Sequence, residues 1–266
     1  MIPDLVLLLF VGLATGIVGG YLGIGGALLI TPVVLELLKR DGVPDALRFK
    51  LAFGTALLAI LGTSISAATT YWRMGRVHWP AVRITGVFAL LFSFLGSRLA
   101  AVSPSVFLQI FFALFALANA ILLLSPIKGH TGGEVQHSAS RFAVIGILAG
   151  ILSAYLGIAG GVVMVPLFMF WAKIPAEKAP GTSSSIGVLT CVAGTVGYIF
   201  NGLPVSGLPA GSLGYLMPGY AIPAMVGTVA GAPLGSLLNR RFGTRVFRYV
   251  FAAFLLGVAV KILFAP

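Results

Sequence analysis

The stretch from Gly12 to Gly26 places seven glycines in fifteen residues, inside an apolar run from Leu5 to Leu38 whose first charge is Glu36. Each glycine weakens a helix by roughly 1 kcal/mol relative to alanine, so this density argues against one uninterrupted helix. The run of 34 residues would make a helix of about 51 Å, longer than one perpendicular crossing of a bilayer. Two half-helices joined by unwound chain near Gly19–Gly26, with Pro32 beyond, are therefore expected. Irregular backbone at membrane depth is tolerated where protein buries it or where it lines a watered cavity. The glycines thus mark a packing seam or a binding site.

A bilayer is the expected solvent because apolar runs of about 20 residues recur along the whole chain. Of 266 residues, 59% are hydrophobic and 9% charged. The fold class is an all-α polytopic membrane protein. The amino terminus lacks the basic region and small-residue cleavage site of a secretory signal, so the first segment is expected to be retained. Cys191, the single cysteine, sits in an apolar segment and cannot form an intrachain disulfide. The formal charge of +11 reads as orientation-setting Lys and Arg in short loops. It is compatible with an anionic substrate, and no nucleic-acid partner is expected.

The glycine motif returns. Gly12, Gly16, Tyr21, Gly23, Gly26 and Pro32 align with Gly146, Gly150, Tyr155, Gly157, Gly160 and Pro166, all at the offset from 12 to 146, 134 residues. Gly54-Thr55 is matched by Gly181-Thr182, and Tyr71 by Tyr198. The expected organisation is an N-terminal transmembrane repeat (1–126), a polar linker (127–139) and a C-terminal transmembrane repeat (140–266). Each repeat has four segments, the first broken at its glycines. A Pro/Gly-rich insertion at 203–212 lengthens one loop.

Duplicated halves with paired Gly/Pro-interrupted segments point to a transporter's substrate site. If each broken segment crosses once, the repeats are parallel; if it doubles back, they are inverted. The two arrangements leave equal numbers of Lys and Arg on the cytoplasmic side, so the positive-inside rule does not separate them. Eight crossings with both termini outside is the expectation taken forward.

Gly12, Gly16, Gly146 and Gly150 have the four-residue spacing of helix seams. The denser inner cluster exceeds what packing needs. Half-helix N-termini present free amides and partial positive charge suited to an anion. The candidate substrate-binding residues are Gly20, Gly23, Gly25, Gly26, Gly157, Gly160 and Gly161, with Thr55 and the run Thr182, Ser183, Ser184 and Ser185. Such hydroxyls also commonly bond back to the preceding turn. Arg83 and Arg98, flanking the third segment, are candidates for attracting anions, although snorkelling anchors are the simpler account of them.

All six carboxylates lie at segment ends or in loops, so no mid-span Asp/Glu proton relay is expected. No catalytic constellation, metal-ligand spacing or cofactor motif is present, and a membrane-embedded enzyme ranks below a transporter.

The twin glycine motifs, each followed by a proline and then by Gly-Thr, resemble the sulfite-exporter TauE/SafE family over nearly the whole chain. That resemblance implies a permease of the bacterial inner membrane for small sulfur-containing anions such as sulfite or organosulfonates. Ala159 replaces Gly25, and Ala56 and Leu57 replace Ser183 and Ser184, so the two sides of an inter-repeat site would differ chemically. The expected function is export of such an oxyanion, held by main-chain amides and Ser/Thr hydroxyls at the repeat interface. An anion channel and an importer share this chemistry. The expected partners are the anion, the lipid bilayer and, from the Phe-rich fourth and eighth segments, a homodimer.

Overall fold

The computed structural model describes residues 2–124, 138–241 and 245–264. Among the described residues the chain is entirely helical: α1 (Ile2–Leu22), α2 (Ala27–Arg40), α3 (Asp45–Arg73), α4 (Trp79–Val102), α5 (Ser105–Leu124), α6 (Ala139–Tyr155), α7 (Gly161–Phe170), α8 (Ala179–Gly202), α9 (Pro218–Arg241) and α10 (Arg245–Phe264). The helices α1, α3, α4, α5, α8 and α9 are long and apolar enough to cross a membrane. Several begin beside a proline: Pro44 is the residue before α3, and Pro80 and Pro180 lie in the first turns of α4 and α8. Proline needs no helical donor there. Most of the expected linker, 127–137, lies outside the described residues.

The first and fifth apolar segments break as their glycines require. Helix α1 stops where Gly23 turns left-handed (φ 71°) and Ile24 N–H bonds back to Gly19 C=O at 3.2 Å. Helix α6 stops in the same way, with Gly157 at φ 65° and Ile158 N–H bonding Ser153 C=O at 2.8 Å. This 6→1 closure needs a left-handed residue, which glycine supplies without steric penalty. The following helices α2 and α7 each start from another left-handed glycine, Gly26 and Gly160.

At these breaks the chain reverses. Arg40 at the end of α2 reaches Asp4 at the start of α1, Nη2 to Oδ1 at 2.7 Å. Arg141 at the start of α6 donates to the carbonyl of Trp171 just after α7, at 3.1 Å. Each broken segment is therefore a hairpin that returns to the end of the bundle from which it started. The expectation of eight crossings gives way here: Gly23 and Gly157 end one helix and turn the chain back instead of linking two collinear halves.

Side-chain contacts fix both ends. One end gathers the start of α1, the end of α2 and the starts of α3, α5 and α9: Ser105 donates to Ala46 C=O at 2.7 Å, and the Tyr220 hydroxyl donates to Asp41. The end of α10 joins them through Lys261 and Glu36, 2.7 Å apart. The opposite end gathers the starts of α4, α6 and α8, where Thr85 donates to Phe142 C=O at 3.0 Å. The α1–α2 hairpin thus enters from the Asp4 end and the α6–α7 hairpin from the Arg141 end.

The two hairpins lean on helices of the opposite half. Gly12, Gly16 and Gly20 of α1 lie so close to α9 that an added Cβ would fall 2.2–2.4 Å from the carbonyl oxygens of Ala224, Thr228 and Ala232. Gly227, Gly231 and Gly235 return the contact against Leu9, Leu13 and Ile17 at 2.0–2.2 Å. Gly146 and Gly150 of α6 meet the carbonyls of Thr85 and Ala89 on α4 at 2.6 and 2.5 Å. In lipid, close backbone approach supplies dispersion contacts that hydrophobic burial between helices does not. Long helices α3 and α8 run antiparallel through the centre, with α5 and α10 paired beside them, where Gln109 Nε2 donates to Ile262 C=O at 2.7 Å.

Candidate functional site

The expected site residues fall into three groups. Gly20 continues the Gly12–Gly16 seam, and its carbonyl accepts from the Tyr71 hydroxyl at 2.9 Å. Tyr198 makes the corresponding bond to the Ala154 carbonyl at 2.9 Å. Both tyrosines are fully buried, and each ties the end of a central helix to a hairpin.

The second group forms the hairpin tips. Gly23 abuts Pro180 on α8, with 2.4 Å from an added Cβ to its Cα; Gly157 abuts Phe53 on α3 at 2.6 Å. Gly25 meets Ala159, so the two tips touch although they entered from opposite ends. Gly26 packs on Thr15, Gly160 faces Met164, and Gly161 lies against the Gly23 carbonyl and the Ser183 hydroxyl. The structure thereby brings Gly23, Gly25, Gly161 and Ser183 into one neighbourhood.

Hydroxyls make up the third group. Thr55 Oγ1 accepts from Met217 N–H at 3.0 Å, fastening α3 to the chain entering α9. Thr182 Oγ1 accepts from His78 N–H at 2.9 Å, fastening α8 to the chain entering α4, and donates to Lys178 C=O at 2.7 Å. Ser183 donates to Gly23 C=O at 3.0 Å, across to the first tip, and Ser185 donates to Gly181 C=O at 2.8 Å. Ser184 is buried, and its hydroxyl has no hydrogen-bond partner among the described residues. Most of the run is thus already bonded to main chain.

Arg83 and Arg98 stand apart. Both are exposed at opposite ends of α4, on the stripe that carries exposed Val87, Leu91 and Val102, and Arg98 donates to Asn201 Oδ1 at 3.0 Å.

Two cavities open on the bundle. One of about 250 Å³ lies toward the Arg141 end, between the first tip, α5, α7 and α9, bounded by Tyr21, Ile24, Asn119, Pro166, Pro180 and Asn239. It touches the neighbours of Gly20, Gly23 and Gly181 and none of the proposed glycines or hydroxyls themselves. The other, about 420 Å³, lies toward the Asp4 end, bordered by Pro32, Glu36, Lys39, Arg48, Gln109 and Lys261. Pro32 and Pro166 thus occupy corresponding walls of the two cavities.

Residues 8–262 match the family described as sulfite exporter TauE/SafE. The chain belongs to this family. A probable membrane transporter protein of Haemophilus influenzae is 30% identical over 98% of this chain and 98% of its own length. One from Methanocaldococcus jannaschii is 28% identical, covering 95% of this chain and 92% of its own. Bacillus subtilis YunE, also a probable membrane transporter protein, is 25% identical over 97% of each. With the long apolar helices, these matches identify a multi-pass membrane transporter of the TauE/SafE type.

Several contributors to this arrangement carried no distinctive sequence signal. Asn119 and Asn239 border the first cavity from the far ends of α5 and α9; their amides donate to Phe115 and Tyr21 carbonyls at 2.7 and 2.8 Å. Thr15, Thr31, Thr63 and Thr195 are buried, and their hydroxyls have no partner among the described residues. An isolated threonine in an apolar helix looks identical whether its hydroxyl bonds back one turn or is left free.

Proposed function

We propose that this transporter exports a small sulfur-containing oxyanion, sulfite or an organosulfonate, across the bacterial inner membrane by alternating access. The observation carrying the mechanism is the meeting of two oppositely entering hairpins at Gly25 and Ala159. Paired contacts support reading the halves as inverted repeats: Thr55–Met217 answers Thr182–His78, Tyr71–Gly20 answers Tyr198–Ala154, and Gly23–Pro180 answers Gly157–Phe53. Inverted repeats exchange conformations to open a central site to alternate sides. The sulfur-anion cargo rests on the family.

The anion is held at the repeat interface by hairpin-tip amides and Ser/Thr hydroxyls, with Gly23, Gly25, Gly161 and Ser183 nearest one another. Dipoles in place of a buried cation let the site release its ligand, since conduction requires binding weak enough to leave. Arg73, Arg76, Arg83, Arg141, Lys173 and Lys178 gather toward the Arg141 end, as do Arg240, Arg241, Arg245 and Arg248 by their helix positions. Positive-inside orientation makes that end cytoplasmic, so the smaller cavity is the loading vestibule. Outward movement of one negative charge then gains about 2.3 kcal/mol per 100 mV of interior-negative potential.

Uptake of labelled sulfite into inside-out proteoliposomes, with sulfate and organosulfonates as competitors, tests this reading. Saturable flux inhibited by an organosulfonate is expected. Absence of saturable flux with every sulfur anion would sink it, and unsaturable ohmic current would replace the transporter with a channel.

A further inference from the structure

The helices beside the point where the hairpin tips touch carry an unusual pair of hydroxyls. Thr63, in the middle of α3, is wholly buried, and its Oγ1 has no hydrogen-bond partner among the described residues. Helical threonines ordinarily return the proton to the preceding turn. Thr69 and Thr70 do so further along the same helix, donating to Ile65 and Ser66 carbonyls at 2.8 Å. Thr190 on α8, the residue answering Thr63 when Gly181 is aligned with Gly54, donates to the carbonyl of Ala159 at the second tip, at 3.3 Å. Thr15 has the second orphaned hydroxyl at this point, and its side chain packs on Gly26 of the first tip. Buried polar groups are normally satisfied; of the four orphaned threonine hydroxyls among the described residues, on Thr15, Thr31, Thr63 and Thr195, those of Thr15 and Thr63 belong to the helices packed against the first tip and point to a ligand there.

The surroundings define what that ligand is. Helical spacing puts Ile60, Thr63 and Ser64 on one face of α3. Ile60 Cδ1 lies 3.7 Å from where a Gly25 Cβ would be, and Ser64 Oγ is 3.9 Å from Cys191 Sγ. The loading vestibule reaches Ile24, one residue from Gly25. The buried polar side chains among the described residues are hydroxyls of Thr, Ser and Tyr and the amide of Asn119, and none is charged. Desolvation of an ion grows with the square of its charge, so a dianion at this neutral waist meets about four times the penalty of a monoanion.

We propose that Thr63, with Thr15, contacts the substrate at the waist between the hairpin tips, and that this waist passes oxyanions in their monovalent form. The proposal rests on the anion-export reading. The two hydroxyls donate to the anion, and the Ala159 carbonyl accepts a hydrogen bond from the proton that hydrogensulfite retains.

The test compares wild type, Thr63→Val, Thr63→Ser and Thr15→Val in proteoliposomes, with thermal stability of each measured in detergent. Valine keeps the shape of threonine and removes a hydroxyl with no protein partner, so stability at or above wild type is expected. Saturable flux of labelled sulfite is expected to fall about tenfold in each valine variant, equivalent to about 1.4 kcal/mol, and to be largely kept by Thr63→Ser. Sulfite flux should decline on the alkaline side of neutrality as the dianion replaces hydrogensulfite. Methanesulfonate, monovalent throughout, should hold steady. Wild-type flux in Thr63→Val, or loss of its fold, overturns the assignment while leaving anion export standing. Sulfite flux that rises with the dianion overturns the monovalent selectivity. If wild type moves neither anion, the export reading falls and this inference falls with it.

Discussion

Gly25 and Ala159 hold corresponding places in the two hairpins and meet directly: a Cβ on Gly25 would lie 2.4 Å from the Ala159 Cβ. There is room for one methyl group between the tips. Ala159 in the place that Gly25 holds in the first hairpin is what that spacing permits. Gly25→Ala is therefore expected to lower thermal stability sharply, and Ala159→Gly to be tolerated. Combining them relieves the collision and leaves the left-handed strain at residue 25 (φ 78°), about 1–3 kcal/mol. Melting of the three variants in detergent checks the order. A double variant no more stable than Gly25→Ala would mean the tips do not touch.

The α1–α9 seam makes a second prediction. An added Cβ on Gly16 would fall 2.4 Å from the Thr228 carbonyl, and one on Gly231 2.2 Å from the Leu13 carbonyl. Both obstacles are backbone, so leucine at either position must part the helices. Gly16→Leu and Gly231→Leu are each expected to remove most folded protein from membrane extracts. Gly219→Ala, with nothing within 4 Å of an added Cβ, is expected to be neutral or to stabilise by up to about 1 kcal/mol. Monodisperse yield after extraction is the readout.

Glycine spacing made the seam residues Gly12, Gly16, Gly146 and Gly150 legible in sequence, along with the break in each first segment. The partner surface on α9 was equally regular, at Gly227, Gly231 and Gly235, yet one sequence does not say which stripes pair. Direction at the break was hidden because a left-handed glycine can either kink a helix or reverse it. The reversal shows only in contacts between residues far apart in sequence, such as Asp4 with Arg40, 36 residues on. Local pattern likewise marked Thr182 to Ser185 as a hydroxyl run. It did not reveal that three of the four side chains already bond to main chain, or that orphaned hydroxyls lie elsewhere, on Thr15 and Thr63 among others.

Within that run, structural and binding roles separate by partner. Thr182 holds His78 N–H at 2.9 Å in a half-buried position, so Thr182→Val removes a fastening between α8 and the chain entering α4 and should cost about 1 kcal/mol of stability. Ser184 loses no protein partner on replacement. Ser184→Ala is therefore expected to melt with wild type while its sulfite flux falls several-fold, if the run forms part of the anion's surroundings. Unchanged flux in Ser184→Ala would remove the run from the site and leave it a fastening between α8 and α4.

The hairpin reading makes a prediction that does not depend on which face is cytoplasmic. Asp45 and Ser206 are exposed at the Asp4 end, and Arg73 and Glu177 are exposed at the other. Cysteines placed singly at these four positions should label in two sets with a membrane-impermeant thiol reagent. Positions 45 and 206 should react from one side of sealed vesicles, and 73 and 177 from the opposite side. Native Cys191 is fully buried and gives a silent background. Had each broken segment crossed once, 45 would share a side with 177, and 73 with 206. Vesicles of known orientation then decide the remaining point. Labelling of 73 and 177 from the cytoplasmic side places the smaller cavity where an exporter loads, and the reverse result assigns that cavity to release.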